Sequence, residues 1–537
     1  MRNKKSKKLT PSLVMLAVGM LTFQACTTYY FRSNYQDANK LLHETKSMQT
    51  KPYLKAHLRN GDICILHDSW QIDTAQDIVS GNGSRYDFNR RNIYEGYISI
   101  PIDSVSIFET NKKLVGAETG RIAALSILAG LDVIIGALCI TNPKACFGSC
   151  PTFYINEKDN FHYADAEGFS NAISPSMEYY DIDALNNQSI SGDTFSITMK
   201  NEALETHCVN NVKLLAFPRK GGKRIYQSPN NDFYLCENSY QLKRASGPEG
   251  EITSLLDRAD KVERYSDADT HNLSSKEEIY LTFDDINNPN DLGLIINFRQ
   301  TLMTTYFIYS AMGYMGDEVG DIFAKMERTD QTKEKLKNGI KTELGNIDIY
   351  VWNEINEVWE LQNGFYETGP IAFNHQILPL STTGSSSQVK IKVVLNKGLW
   401  RMDYLALTNI KDKVTPIEIA PNQILNKGQI DSSALAQITI PDQYLISMPG
   451  SEYKFNFTFP DVNQNYELFL YSKGYYLEWM REHWIKDKDL FKLRQMVENP
   501  KKYLKEEAES YKLYENSMEQ EFWNSKIDTK TFSYYEN

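Results

Sequence analysis

Lys397-Gly-Leu-Trp-Arg-Met-Asp-Tyr-Leu-Ala-Leu407 decides the fold class. Read with a period of two, it places Trp400, Met402, Tyr404 and Ala406 on one face and Leu399, Arg401 and Asp403 on the other. Val389-Lys-Ile-Lys-Val-Val394 upstream alternates in the same way, as does Tyr453-Lys-Phe-Asn-Phe-Thr-Phe459 downstream; Glu467-Leu-Phe-Leu-Tyr471 follows. Strands patterned like this bury one face against a second sheet, so residues 361–482 are expected to form a β-sandwich-like domain.

C-terminal to that domain, residues 483–537 read as a helical tail. Pro500 suits a first helical turn, where its missing N–H costs nothing. Leu504, Ala508, Tyr511, Met518 and Phe522 then form a stripe at helical spacing, interrupted at Glu515, and the preceding sandwich is the expected surface for it. N-terminal to the sandwich, residues 246–360 are expected to be mainly helical. Thr301 to Met326 is apolar around much of its circumference, which marks a buried helix.

Residues 144–245 read as a β-rich domain, with strands at Thr152–Ile155, Thr194–Met199, Val212–Phe217 and Asp232–Leu235. Residues 53–143 read as a small β-meander or barrel followed by an apolar helix. Its strands are Asp62–Leu66, Glu95–Ile100 and Val105–Phe108, and Gly81-Asn-Gly83 reads as a hairpin turn. Residues 121–142 are very hydrophobic, but Asp132 near their centre costs about 2.5–3.5 kcal/mol in a bilayer. A buried or membrane-surface helix is therefore expected there, with a true span as the alternative. The whole is an α+β multidomain chain: a β-meander and β-sandwich-like modules, a buried apolar helix and a helical C-terminal tail.

The first 52 residues concern address. Arg2, Lys4, Lys5, Lys7 and Lys8 precede the apolar run Leu13 to Phe23, which is too short for a span of ~20 residues. Ala25-Cys26 then matches the end of a bacterial lipoprotein signal, although Phe23 and Gln24 depart from the usual box. Residues 1–25 are thus expected to be removed, Cys26 to carry diacylglycerol, and 26–52 to act as a tether. Thr27 favours the outer membrane over the inner, and the lack of an acidic run after Cys26 favours facing the periplasm. Cys26→Ser should release the protein from the membrane fraction and abolish acyl labelling; a Ser variant that still labels overturns this reading.

Four phrases together, Cys146-Phe-Gly-Ser-Cys-Pro-Thr-Phe-Tyr154, Phe298-Arg-Gln-Thr-Leu-Met-Thr-Thr305, Gly398-Leu-Trp-Arg-Met-Asp-Tyr404 and Ser472-Lys-Gly-Tyr-Tyr-Leu-Glu-Trp-Met-Arg481, resemble a set of uncharacterised secreted proteins and lipoproteins of Gram-negative bacteria. The resemblance implies an export class and supplies no catalytic residues.

Chemistry-bearing motifs are sparse. Cys146 and Cys150, with Gly148 between them, are expected to form a local disulfide in an oxidising compartment; a two-thiolate soft-metal site and two packed thiols are the alternatives. Asp267 to Glu278 has part of a calcium-loop spacing but lacks its turn Gly, and reads as a solvated acidic turn. The eight His are scattered, and neither H-E-x-x-H, a Gly-x-Ser-x-Gly elbow nor a phosphate loop occurs. No catalytic residue, metal or cofactor is expected. A net charge of −11 without a basic stripe disfavours nucleic acid as a partner. The function expected is binding or assembly at the membrane, with an envelope protein or glycan as partner; the alternative is a periplasmic hydrolase whose site is gathered from distant residues.

Overall fold

A computed structural model describes residues 29–35 and 41; 54–114 apart from 59–62, 68, 74 and 87–91; 151–316 apart from 158–159, 171, 174–176, 186–192, 204 and 220; 322; and 339–519 apart from 367–368, 383–386, 442, 448–449, 462–463 and 479–486. Cys26, Cys146, Cys150 and the 121–142 segment lie outside these residues. Among the described residues, no helix is long and apolar enough to cross a membrane.

The chain is a multidomain, β-rich α+β protein, and its described residues form five sheets. The first sheet joins Tyr29–Tyr35 to strands between 54 and 114, all antiparallel, over a core containing Leu54, Leu66, Trp70, Val79 and Phe108. Gly81-Asn-Gly83, expected as a turn, lies inside the strand Ile78–Tyr86. Its glycines serve close backbone approach instead: a Cβ on Gly81 would sit 2.9 Å from Trp70 Cα, and one on Gly83 1.9 Å from Ile65 O.

Two sandwiches follow, one inserted in the other. The outer sandwich faces the sheet containing Thr152–Glu157, Thr194–Lys200 and Glu452–Thr458 against the sheet of Tyr179–Ala184, Glu205–Pro218 and Tyr466–Glu478. Phe153, Ile197, Leu214, Phe455, Phe457 and Leu470 fill the space between them. The strands from Arg224–Gln227 to Trp400–Val414 belong to the inner sandwich, which is spliced between two strands of the outer one. Residues 361–482 therefore do not make one sandwich: Val389–Asn396 and Trp400–Val414 belong to the inner, and Glu452–Thr458 and Tyr466–Glu478 to the outer. Phe217, Phe233 and Phe469 meet at the junction, with ring centroids 4.8–5.7 Å apart.

The described part of residues 246–360 departs from the mainly helical expectation. They hold the helix α1 (Met303–Met315), but Lys276–Phe283, Leu292–Gln300, Ile347–Asn353 and Val358–Phe365 are strands. Leu292–Gln300 is buried at every position, so it lacks the alternation that announces a strand.

One sheet of the inner sandwich closes on itself. Phe233–Gln241, Arg224–Gln227, Asn374–Pro379, Leu292–Gln300 and Trp400–Val414 pair in a ring, and Cys236, Ile295 and Ile377 pack together in a small core beside Tyr226 and Tyr404. The ring explains a departure from the deciding sequence stretch. Asn297 pairs with Tyr404 and Phe298 with Met402, so Asp403 is an extra residue, a β-bulge. Facing flips there: Trp400 and Met402 before the bulge, and Leu405 and Leu407 after it, share the large core, while Tyr404 turns to the small one. Asp403 Oδ1 accepts from the backbone N–H of Lys261 (2.8 Å) and Asp260 (3.2 Å), which pins the bulge.

The tail docks on the inner sandwich through α3 (Leu490–Glu498), α4 (Pro500–Glu506, Pro at its first turn) and α5 (Ala508–Lys512); α2 is Ser432–Thr439 in the outer one. Leu504, Ala508, Tyr511 and Met518 are buried in the same core as α1. Glu515, the gap in the stripe, accepts from Tyr265 Oη (2.5 Å) and Ala268 N (2.6 Å). Arg401 does not pair with Asp403; it reaches Glu263 (3.4 Å) and Glu519 (2.8 Å) over the Tyr265 ring, and Arg299 binds the same two carboxylates.

Candidate binding face

The second sheet of the inner sandwich orders Arg244–Gly247, Lys276–Phe283, Val389–Asn396, Ile347–Asn353 and Val358–Phe365 side by side. Period-two alternation sends Ile279, Leu281, Ile349, Val351, Ile391 and Val393 into the core. The same alternation leaves Tyr280, Tyr350, Trp352 and Lys392 on the outer face, and register sets them in a row: Tyr280 opposite Lys392, Lys392 opposite Tyr350, and Trp352 opposite Trp359.

These groups touch. Trp352 and Trp359 meet edge to face at 5.2 Å, and Trp359 lies 5.8 Å from Tyr280. Lys392 Nζ sits 4.8 Å from the Tyr350 ring centroid, 5.7 Å from that of Trp359 and 3.5 Å from Glu278 Oε1. The Tyr280 hydroxyl donates to Glu278, which, with Lys392 adding to it, holds that carboxyl below its usual range. Tyr280 and Leu361 remain 42% and 58% exposed, and Val358 and Ile355 extend the open apolar surface along the same hairpin. The rings, the Lys392 ammonium and the Glu278 carboxylate thus share a single open sheet face.

Other clusters offer less. His207 Nε2 is 2.9 Å from Glu205 Oε1, and Ser447 stands opposite His207 in register. Acid, imidazole and hydroxyl therefore lie close together, yet all three residues are 0% exposed and Ser447 Oγ makes no hydrogen bond, so its hydroxyl is not joined to the imidazole. A cavity of ≈ 360 Å³ in the first module is lined by Leu58, Cys64, Ile98, Ile100, Pro101 and Arg85 among others. It is of small-molecule size, and its lining among the described residues is largely apolar. In the acidic turn, Asp269 Oδ1 accepts from the N–H groups of His271 and Asn272, both at 2.9 Å, and Glu278 is committed to Tyr280 and Lys392. That spacing gathers no set of convergent ligands.

Cys208 and Cys236 lie in different cores and do not pair with each other; Cys236 is a buried thiol, pushed up to about 12 by burial. None of the aromatic face was singled out from sequence. Its signal was Ile347-Asp-Ile-Tyr-Val-Trp-Asn353, whose inward aliphatics alternate with outward rings. No protein-family model matches the chain, and no curated protein matches it at a significant level.

Proposed function

We propose that the chain is an outer-membrane lipoprotein, anchored through Cys26 and facing the periplasm, that binds a glycan on the Trp359 face. The observation that carries the binding reading is the set of rings gathered around Lys392 on an open sheet face. A pyranose presents an apolar C–H face suited to stacking on indole or phenol. Its rim of hydroxyls both donates and accepts, as the carboxylate and ammonium of Glu278 and Lys392 require. Binding is favoured over hydrolysis because the acid–imidazole–hydroxyl group found among the described residues lies sealed in the outer core, whereas the ring cluster is open. Shallow, open faces suit recognition of an extended polymer; catalysis needs a recess that excludes water.

The test is a glycan array with the detergent-solubilised full chain, followed by calorimetric titration of the best ligand. Trp359→Ala should weaken binding by about tenfold or more, from the ~2 kcal/mol typical of an anchoring aromatic. Absence of any glycan ligand, or equal affinity in the Trp359→Ala protein, overturns the reading.

A further inference from the structure

We infer that the first module holds a lipid acyl chain in the cavity inside its curled sheet, a site that rests on the lipoprotein reading for its supply of ligand and owes nothing to the glycan face. Strands Asn92–Pro101 and Val105–Leu114 are joined by the three-residue turn Ile102–Ser104. Yet three strands stand between them in the sheet: Ile78–Tyr86, Ile63–Leu66 and Leu54–Leu58. Four strand spacings in a flat sheet come to about 19 Å, whereas the link from Pro101 to Val105 reaches at most about 14 Å. The sheet must therefore curl, and its inner face becomes the inside of a half-barrel.

Register sets the walls of that interior. Ile100 stands opposite the core residue Val79, and Ile98 shares its face, so both point inward and are buried. With Leu58, Pro101 and the rim residues Ser99 and Ser104 they line the cavity of ≈ 360 Å³. That volume lies in the lower part of the ~300–1,000 Å³ range of ligand pockets. An apolar cavity costs stability in proportion to its volume unless an apolar group fills it, so these walls favour an apolar ligand. Arg85 and Cys64 also line the space, but each has other interactions, and neither is required to hold the ligand.

Position in the chain then selects the ligand. Tyr29–Tyr35 begins three residues past Cys26, a link of at most about 10 Å, so a lipid on Cys26 holds this module beside the bilayer. Acyl chains are the apolar molecules in supply there. The chains on Cys26 itself are too far away. Tyr29 pairs with Leu114, whereas the cavity residue Leu58 pairs with Val105, nine residues off along the same strand and so about 30 Å distant. With a methylene close in volume to the ~30 Å³ share of a water molecule, the cavity takes on the order of ten carbons of chain. Ser104 Oγ already donates to Pro101 O at 2.7 Å, so recognition lies in the chain and not in a headgroup.

The test is equilibrium dialysis of the full chain in a steroid-based detergent, which brings no alkyl chain of its own. The probes are hexanoate, octanoate, decanoate and 1-decanol, and protein-free micelles set the baseline. Binding should saturate, tighten by about fourfold per added methylene, and agree within about threefold between decanoate and decanol. Leu58→Trp, which fills the cavity, should weaken decanoate binding by about tenfold or more. Ser99→Trp, at an exposed rim position, should block entry in the same way without touching the core. Absence of saturable binding, affinity that ignores chain length, or full affinity in the Ser99→Trp and Leu58→Trp proteins overturns the site. Decanoate bound far more tightly than decanol also overturns it, because a headgroup would then carry the recognition. Dissolved fatty acids reach the cavity whether or not Cys26 is acylated, so failure here leaves the lipoprotein reading standing. An unlabelled Cys26, conversely, would remove the anchor without changing the dialysis.

Discussion

Arg264→Ala is expected to lower the unfolding free energy by about 3–5 kcal/mol, measured by urea denaturation at neutral pH. Arg264 is 1% exposed and links the two sheets of the inner sandwich. Its Nη1 and Nη2 reach Glu277 at 2.5 and 2.9 Å, and Nε and Nη2 reach Glu249 at 2.8 and 3.0 Å. Ser266 Oγ also donates to Glu277, at 2.7 Å. Truncating the arginine leaves the Glu277 carboxylate enclosed with only that hydroxyl. Much of the expected loss is thus the cost of an uncompensated buried charge, not the net worth of the pair. Arg264→Met with Glu277→Gln removes both charges together and should lose markedly less than the single change. A single-variant loss below ~1 kcal/mol would show that the cluster is wet and the carboxylate solvated.

Acidification should weaken the fold through His375. The residue shares a strand face with Ile377 beside the small core of the closed ring, and its Nδ1 lies 2.6 Å from Asn297 Oδ1. Burial, with Arg224 and Lys261 adding positive charge, pushes its pKa down to about 3, whereas an unfolded His titrates near ~6.5. Between those values the unfolded chain binds the proton and the folded chain does not. The stability linked to His375 is therefore whole above ~6.5 and lost progressively as pH falls towards 3, on the order of 4 kcal/mol across the window. Paired carboxylates also lose stability in acid, so the check is a difference: urea melts of the unaltered chain and of His375→Gln at pH 7, 5 and 4. The gap between the two should shrink as pH falls. Parallel profiles would refute a neutral buried imidazole.

What the sequence disclosed depended on whether each strand had one dry face. Glu452–Thr458 and Val389–Asn396 each bury alternate residues, and both were legible. The buried helix near residue 303 and Pro500 at the start of α4 were legible for a similar reason, a single local signal. Leu292–Gln300 was not, because burial on both sides erases the period. The Asp403 bulge was not, because one inserted residue leaves composition unchanged while exchanging faces. The insertion of one sandwich into the other was hidden for a different reason. Pairing between Glu205–Pro218 and Tyr466–Glu478 is decided by distant partners, and local pattern carries no address. The Trp359 face was partly readable, as outward rings on an alternating strand.

Splicing one sandwich into another also sets an order of events in time. The central strand of the outer sandwich, Glu205–Pro218, finds its full-length neighbour only when Tyr466–Glu478 is available, with the entire inner sandwich between them in the chain. As the polypeptide emerges from N to C terminus, the inner strands from Arg224 to Val414 already have one another, while the outer half-sandwich waits with an unpaired edge. Closure over such a separation is slow, and the waiting strand is open to pairing with another chain. Conditions that delay synthesis or delivery of the residues after Val414 should therefore favour aggregation of a partly folded species whose inner strands have paired while the tail that completes their core is still missing.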